Sequence, residues 1–177
     1  MDLHVYRNSQ DRWHDLKSVA RERGAVLAVN AVTLDELVRH ITPDVITATP
    51  GQRLVTLGTT PLREAPEWFP NAIRYAYDAV RELKAARVQA GELCAAGSPI
   101  LADILAQYEQ ALGKAGLADP QDRAVLAASR VQQGAVPWLD KFQRVVLHAL
   151  YDLTEAEFVL VQQIRPARDT FAHIEFY

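Results

Sequence analysis

Residues 144–157 join an apolar run, Arg144-Val145-Val146-Leu147-His148-Ala149-Leu150, to Tyr151-Asp152-Leu153-Thr154 and then to Glu155-Ala156-Glu157. Such a run reads as a buried parallel strand, and Thr154 stands where it can cap a following helix. Nucleotide-hydrolysing chemistry places carboxylates at the end of a strand like this, where they hold Mg²⁺ and orient water. His148 and Ala149 occupy that place here, and neither does that work at neutral pH. The organisation of such a site is present and its acidic pair is missing. A histidine on a buried strand is more often a hydrogen-bonded core residue than a catalyst, and His148 is read that way.

Other residue patterns have chemistry to offer and plain alternatives beside it. Gly113-Lys114-Ala115 lacks the earlier glycine and the following hydroxyl of a phosphate loop, and fits an ordinary helix end. Pro43-Asp44 and the later Glu82-Leu83-Lys84 spell a metal-nuclease signature, whose carboxylates and lysine must converge from adjacent strands. Glu82 and Lys84 sit two apart in a helical stretch, so they point about 200° away from each other. A solvated helix face is the expectation for both. Asp11, His14 and Asp15 have the i, i+3, i+4 spacing of metal ligands on one helix face, but no further ligand is evident. They are expected to pair with Arg or Lys, and no metal site is assigned. Ser9, Ser18, Ser98 and Ser129 lack a nucleophile-elbow context, and Cys94 has no recognisable partner histidine. Arg7, Arg12, Arg21 and Arg23 lie near one strand-to-helix turn, where they could contact phosphates or form a charged helix face.

The elements that must position these residues follow from periodicity. Residues 3–6 alternate as a strand, and Ser9 is placed to cap a helix. In that helix Trp13, Leu16, Val19 and Ala20 form the inward stripe, and Arg12, Asp15, Lys17 and Arg21 the wet face. Residues 25–29 read as a second strand. Thr33 then caps a helix over 34–41, with Glu36 completing a capping box and Leu37, Val38 and Ile41 facing inward. Strand, helix, strand, helix implies βαβ units and a parallel sheet. Residues 53–57 read as a further short strand, and 58–70, with Gly58, Pro61, Pro66 and Pro70, as a broken connection.

A helical stretch over 71–89 puts Ile73, Ala76, Tyr77, Val80 and Leu83 on one face. Gly97-Ser98-Pro99 opens a second helix with the stripe Ile100, Leu101, Ile104, Leu105, Tyr108 and Leu112, ended by Gly116. Asp119-Pro120 caps a third, to about Gln133. Residues 138–140 connect to the strand described above, followed by a helix over 155–164 and a last strand over 172–176. A terminal edge strand suggests that a larger protein continues, or that a partner completes the fold.

At 177 residues and 49% hydrophobic content the chain can bury a real core. A net charge of −3 carries no bulk basic field, which leaves room for a local basic patch. The single cysteine excludes an internal disulfide and a cysteine zinc cluster. The opening Met-Asp-Leu-His lacks a signal-peptide pattern, and no run reaches the ~18 apolar residues of a membrane span. The cytoplasm is the expected location and no membrane association is expected.

Four segments, in order, carry a resemblance. Val5-Tyr6-Arg7-Asn8-Ser9-Gln10 looks like the helicase segment after the phosphate loop that contacts single-stranded DNA. Val32-Thr33-Leu34-Asp35-Glu36-Leu37 looks like the next DNA-proximal, Thr-capped helix. Tyr108-Glu109, Leu112 and Asp119-Pro120-Gln121-Asp122 look like the helical insertion. Residues 144–154 look like the Walker B region, with Asp152 matching its later aspartate. The whole resembles the N-terminal helicase-like domain of AddB-type subunits of bacterial helicase–nuclease complexes, proteins of the PD-(D/E)XK nuclease family. That domain is similar to the first motor domain of UvrD-like superfamily 1 helicases. The departures are large: no counterpart of the phosphate loop, His148 and Ala149 at the Asp-Glu positions, Glu157 for a frequent glutamine, and no nuclease domain within these residues.

The resemblance implies an α/β fold with an incomplete parallel-sheet, P-loop-NTPase-like core and an inserted helical subdomain. Residues 1–69 would form the first part of the core, 70–136 the insertion and 137–177 the return to the core. It implies a non-catalytic scaffold in recombinational DNA repair, a piece of a larger AddB-like protein, without ATPase or nuclease activity and without a cofactor. The expected partners are single-stranded DNA, touched by Arg7, Asn8, Ser9, Arg12 and Thr33, and a helicase or nuclease subunit or the remainder of a longer chain. Two further readings stand beside it: a protein-docking domain that binds no DNA, and a small-molecule enzyme with a site at the strand ends near Asn8, Asn30 and His148.

Overall fold

The computed structural model describes residues 1–24, 30–60, 62, 71–148, 150–167 and 169–173, with 165–167 and 169–173 described by backbone alone. The chain is a mixed α/β protein whose strands pair in parallel. It divides into two compact units. One comprises Met1–Pro43, Ala124–Leu153 and Glu157–Tyr177; the other comprises Asp44–Arg123 and Thr154–Ala156. The segment that interrupts the sheet-bearing unit is thus Asp44–Arg123, where the sequence suggested 70–136.

The first unit is built on a sheet of four described strands: β1 (Asp2–Tyr6), β2 (Asn30–Thr33), β5 (Arg144–His148) and β6 (Asp169–His173), in the order β2-β1-β5-β6. Every pairing is parallel. The register sets Tyr6 opposite both Thr33 and His148, and His148 opposite His173. Side chains alternate as a pleat requires: Leu3, Val5, Val145 and Leu147 are buried, while His4, Val146 and His148 are half-buried. At the other end of β1 and β5, Arg144 pairs with Asp2. The expected strand over 25–29 lies outside the described residues, and the described β2 follows it. Of the expected strand over 172–176, residues 174–176 also lie outside them.

Helix α1 (Ser9–Arg23) packs on β1 and β2. Its cap is Asn8, not Ser9: the Asn8 Oδ1 accepts from the Gln10 and Asp11 N–H groups at 2.9 Å each, and Ser9 is already helical. Asn8 has the extended backbone and the short acceptor that an N-cap needs. The inward stripe is also shifted. Trp13 is 67% exposed, while Arg12 and Asp15 turn inward and are half-buried because each has a partner there, Glu36 and Tyr6. Helix α2 (Leu34–Ile41) matches its sequence: Thr33 and Glu36 form a reciprocal capping box, and Leu34, Leu37, Val38 and Ile41 are buried. Near the return to β5, a single 3-10 turn (Leu139–Lys141) is flanked by Trp138, whose ring stacks on His40 at 4.3 Å.

The second unit is mainly helical. Residues 53–57, expected as a strand, are helical in α3 (Pro50–Leu57). The local reason is a start signal. Thr49 and Gln52 form a capping box around Pro50, and proline at the first helical position is preorganised. Helix α4 (Ala72–Ala85) buries Ala76 and Val80 as expected but leaves Ile73 exposed, and it stops at Ala85, short of Gln89. The short α5 (Ala90–Ala95) follows, an element the periodicity did not announce. In α6 (Pro99–Lys114), Ile104, Leu105, Tyr108 and Leu112 are buried, whereas Ile100 is exposed. Ala48, Leu57, Val80, Leu93 and these α6 residues form one apolar core. A two-stranded parallel pair, β3 (Ile46–Thr47) with β4 (Leu117–Ala118), completes the unit. Helix α7 (Pro120–Gln132) begins here and runs on into residues of the first unit, and α8 (Glu155–Ala167) precedes β6. No described helix is long and apolar enough to cross a membrane.

Candidate functional site at the ends of the parallel strands

Parallel strands deliver their C-terminal ends to one edge of a sheet, and α/β proteins build sites there. In the first unit that edge gathers Tyr6-Arg7-Asn8 from β1, Thr33 from β2, and His148 with Asp152 from the end of β5. His4 Nδ1 and His148 Nε2 lie 2.8 Å apart, so one ring donates and the other accepts. The Tyr6 ring stacks on His148 at 4.4 Å and 14°. The Tyr6 hydroxyl donates to Asp15 on α1. His148 is therefore a hydrogen-bonded, stacked histidine tied into the sheet.

Arg7 closes the same edge. Its Nη1 donates to Glu157 Oε1 at 2.7 Å and its Nη2 to the Asp152 carbonyl at 3.1 Å. Asp152 has a positive φ of 61°, a left-handed conformation that Asp tolerates better than most residues. Arg12 reaches from α1 to Glu36 and to the Ala31 carbonyl. Burial opposes ionisation of Glu36, but the Thr33 N–H and the Arg12 guanidinium together hold its carboxyl below the ordinary range. Asn8 is committed to capping α1 and to Asp11, whose carboxylate accepts from Asn8 Nδ2 at 2.8 Å. Thr33 is buried within its capping box. Of the five residues expected to touch DNA, Arg7, Asn8, Arg12 and Thr33 thus make intrachain contacts, and Ser9 is exposed on the first turn of α1. Arg21 and Arg23 are exposed in its last turn.

The Asp11, His14 and Asp15 set does not act together. Asp11 accepts from Asn8, Asp15 accepts from Tyr6, and His14 is exposed. Among the described residues no group of three or more His, Cys, Asp or Glu side chains is placed to hold a metal ion.

Sequence reasoning missed a polar cluster in the second unit. Lys84, expected on a solvated face, is 8% exposed and its Nζ lies 2.5 Å from both Glu109 and Asp122. Burial would lower the ammonium pKa, but the hydrogen bonds to Asp122 and Glu109 outweigh it and raise it. Asp122 moves upward, chiefly through burial and further through Asp119 and Glu109, despite Lys84. Beside them the buried Tyr108 hydroxyl donates to Asp119 at 2.7 Å, and burial with that charge pushes the phenol upward. Arg53 lies 3.8 Å from Asp119 and 5.2 Å over the Tyr77 ring. Asp119 also caps α7 by accepting from the Gln121 N–H, the one part of this cluster that local sequence announced. The same unit carries an open apolar groove of about 440 Å³, lined by residues that include Ala72, Tyr75, Ala76, Pro99 and Ile100.

Neither a protein-family model nor a curated protein matches this chain.

Proposed function

We propose that this chain is a non-catalytic, helicase-like scaffold domain of a DNA repair and recombination helicase–nuclease assembly of the AddB type, working in the cytoplasm by shape and positioning. One observation carries the reading. The two segments that resemble the DNA-facing turn and the Walker B region, Tyr6–Ser9 in chain order and the stretch through Asp152, emerge side by side from the adjacent parallel strands β1 and β5. Arg7 then ties them together through Glu157 and the Asp152 carbonyl. The incomplete P-loop-NTPase-like core belongs to this proposal and draws its support from that arrangement. The interrupting, mainly helical segment supports it in the same way.

The commitment of Arg7, Asn8, Arg12 and Thr33 to intrachain contacts favours a second reading, docking of a protein partner without DNA contact at that turn. The test is co-elution with purified motor and nuclease subunits of an AddB-type complex at roughly 10 µM, where weak docking is visible. Association with either subunit is expected. Elution of every component alone overturns the scaffold reading.

A further inference from the structure

We propose that the outer face of α1 binds single-stranded nucleic acid, with Trp13 as the stacking platform and Lys17 and Arg21 as phosphate contacts. This deepens the scaffold reading by naming the ligand class that its surface takes. It also assigns a face different from the strand-end turn, where Arg7, Asn8, Arg12 and Thr33 are already paired within the chain.

Trp13 is a large aromatic left 67% exposed on a helix that buries none of its residues. Trp13, Lys17 and Arg21 recur at intervals of four, so they form one line on the helix, and all three are exposed. Lys17 and Arg21 are about 6 Å apart along the axis, at 1.5 Å per residue, comparable with successive phosphates of an extended strand. Gln10 and His14 flank the line and are exposed too. The helix carries three carboxylates, and none is on this face. Asp11, two positions before Trp13 and so about 200° around from it, bonds to Asn8 at the helix start, Asp15 turns inward to Tyr6, and Glu22 is about 100° around from Arg21. Neither Lys17 nor Arg21 makes an ion pair among the described residues. The patch is therefore aromatic and cationic on a chain of net charge −3.

Charge complementarity selects a polyanion, and the tryptophan selects one with flat rings, since base stacking is sequence-tolerant while phosphates take the cations. A lipid surface is a poor match, because an interfacial helix needs an apolar stripe and this face has a single apolar residue.

The experiment is fluorescence anisotropy of labelled oligothymidylate with the intact chain and with Trp13→Ala, Trp13→Phe and Lys17→Gln/Arg21→Gln. All substitutions are at exposed positions, and circular dichroism verifies the fold. Binding that weakens with salt is expected, with Trp13→Ala losing roughly tenfold in affinity and Trp13→Phe retaining most of it. Lys17→Gln/Arg21→Gln should reduce the salt slope by about 1.4, two contacts at about 0.7 each. No binding at roughly 100 µM protein, the weak end for non-specific contacts, overturns the proposal. So does equal affinity across the variants. Displacement by polyglutamate together with indifference to Trp13→Ala overturns it in favour of an acidic protein partner. Subunit co-elution without oligonucleotide binding removes this inference alone; Trp13-dependent binding without co-elution removes the scaffold reading alone.

Discussion

Arg7 and Glu157, 150 positions apart in the chain, meet at 2.7 Å with both side chains mostly shielded, at 29% and 18% exposure. The contact links the end of β1 to α8, and the second guanidinium bond holds the Asp152 carbonyl. Shielding keeps such a pair from being a weak surface bridge. A double-mutant cycle with Arg7→Ala and Glu157→Ala in urea denaturation should give a coupling of about 1–2 kcal/mol. Additive single effects would mean that the contact contributes nothing to holding this edge.

Arg87 lies just past α4 with a φ of 58°, and the Val88 N–H reaches back to the Leu83 carbonyl at 2.9 Å. This is the helix-ending geometry in which glycine has no Cβ penalty. Arg87→Gly should raise stability by about 0.5–1 kcal/mol, read as a higher melting temperature. A lower one would show that the arginine side chain outweighs the backbone strain.

How much could be read beforehand depends on how local the cause is. The capping box of Thr33 and Glu36 and the cap at Asp119-Pro120 are complete within four residues, so the sequence showed them. The alternation of β1 showed as well, because burial on one face leaves a period of two, and β5 showed as an apolar run. Trp13 was misplaced because periodicity counts hydrophobic residues and is blind to paired polar ones. Tyr6 and Glu36 draw Asp15 and Arg12 inward, which rotates tryptophan outward. Residues 53–57 were misread because Leu54-Val55 looks strand-like until the start signal at Thr49 is weighed against it. Lys84 was illegible for another reason: Glu109, 25 residues away, and Asp122 come from other elements. The strand-end edge was half legible. Its segments were visible, but not that Arg7 and Arg12 would bond to carboxylates rather than remain open to phosphates.

Glu36 links α1 to the cap of α2, and its lowered pKa fixes a sign. A carboxyl lowered in the folded state adds stability above its unfolded value, and that stability is lost as pH falls through the folded value. Glu36→Gln keeps an acceptor for the Thr33 N–H but removes the charge facing Arg12. The variant should be less stable than the parent by about 0.5–1 kcal/mol at pH 7. The gap should close below the ordinary carboxyl value of 4.5, as the parent protonates. Thermal melts at pH 7 and pH 3 measure it, and a gap unchanged at pH 3 would rule out the charge as its origin.

Lys84 gives the larger effect because it is buried with two carboxylates around one ammonium. Lys84→Met keeps the stem and removes the charge, leaving Glu109 and Asp122 facing each other beside Asp119. Breaking a fully buried pair costs 3–5 kcal/mol; with Glu109 and Asp122 partly solvated, about 2 kcal/mol is expected here. The pH dependence has two arms. The lysine pKa is raised on folding, so the contribution of its own ionisation is full below 10.5 and is lost as pH rises through the folded value. On the acid side Asp122, already displaced upward by burial and by its acidic neighbours, protonates early and relieves the repulsion left in the variant. Urea denaturation at pH 5, 7 and 9 should therefore show the parent–variant gap constant from pH 7 to 9 and smaller at pH 5. A gap unchanged at pH 5 would mean that the cost comes from a pH-independent change in packing and not from uncompensated carboxylates.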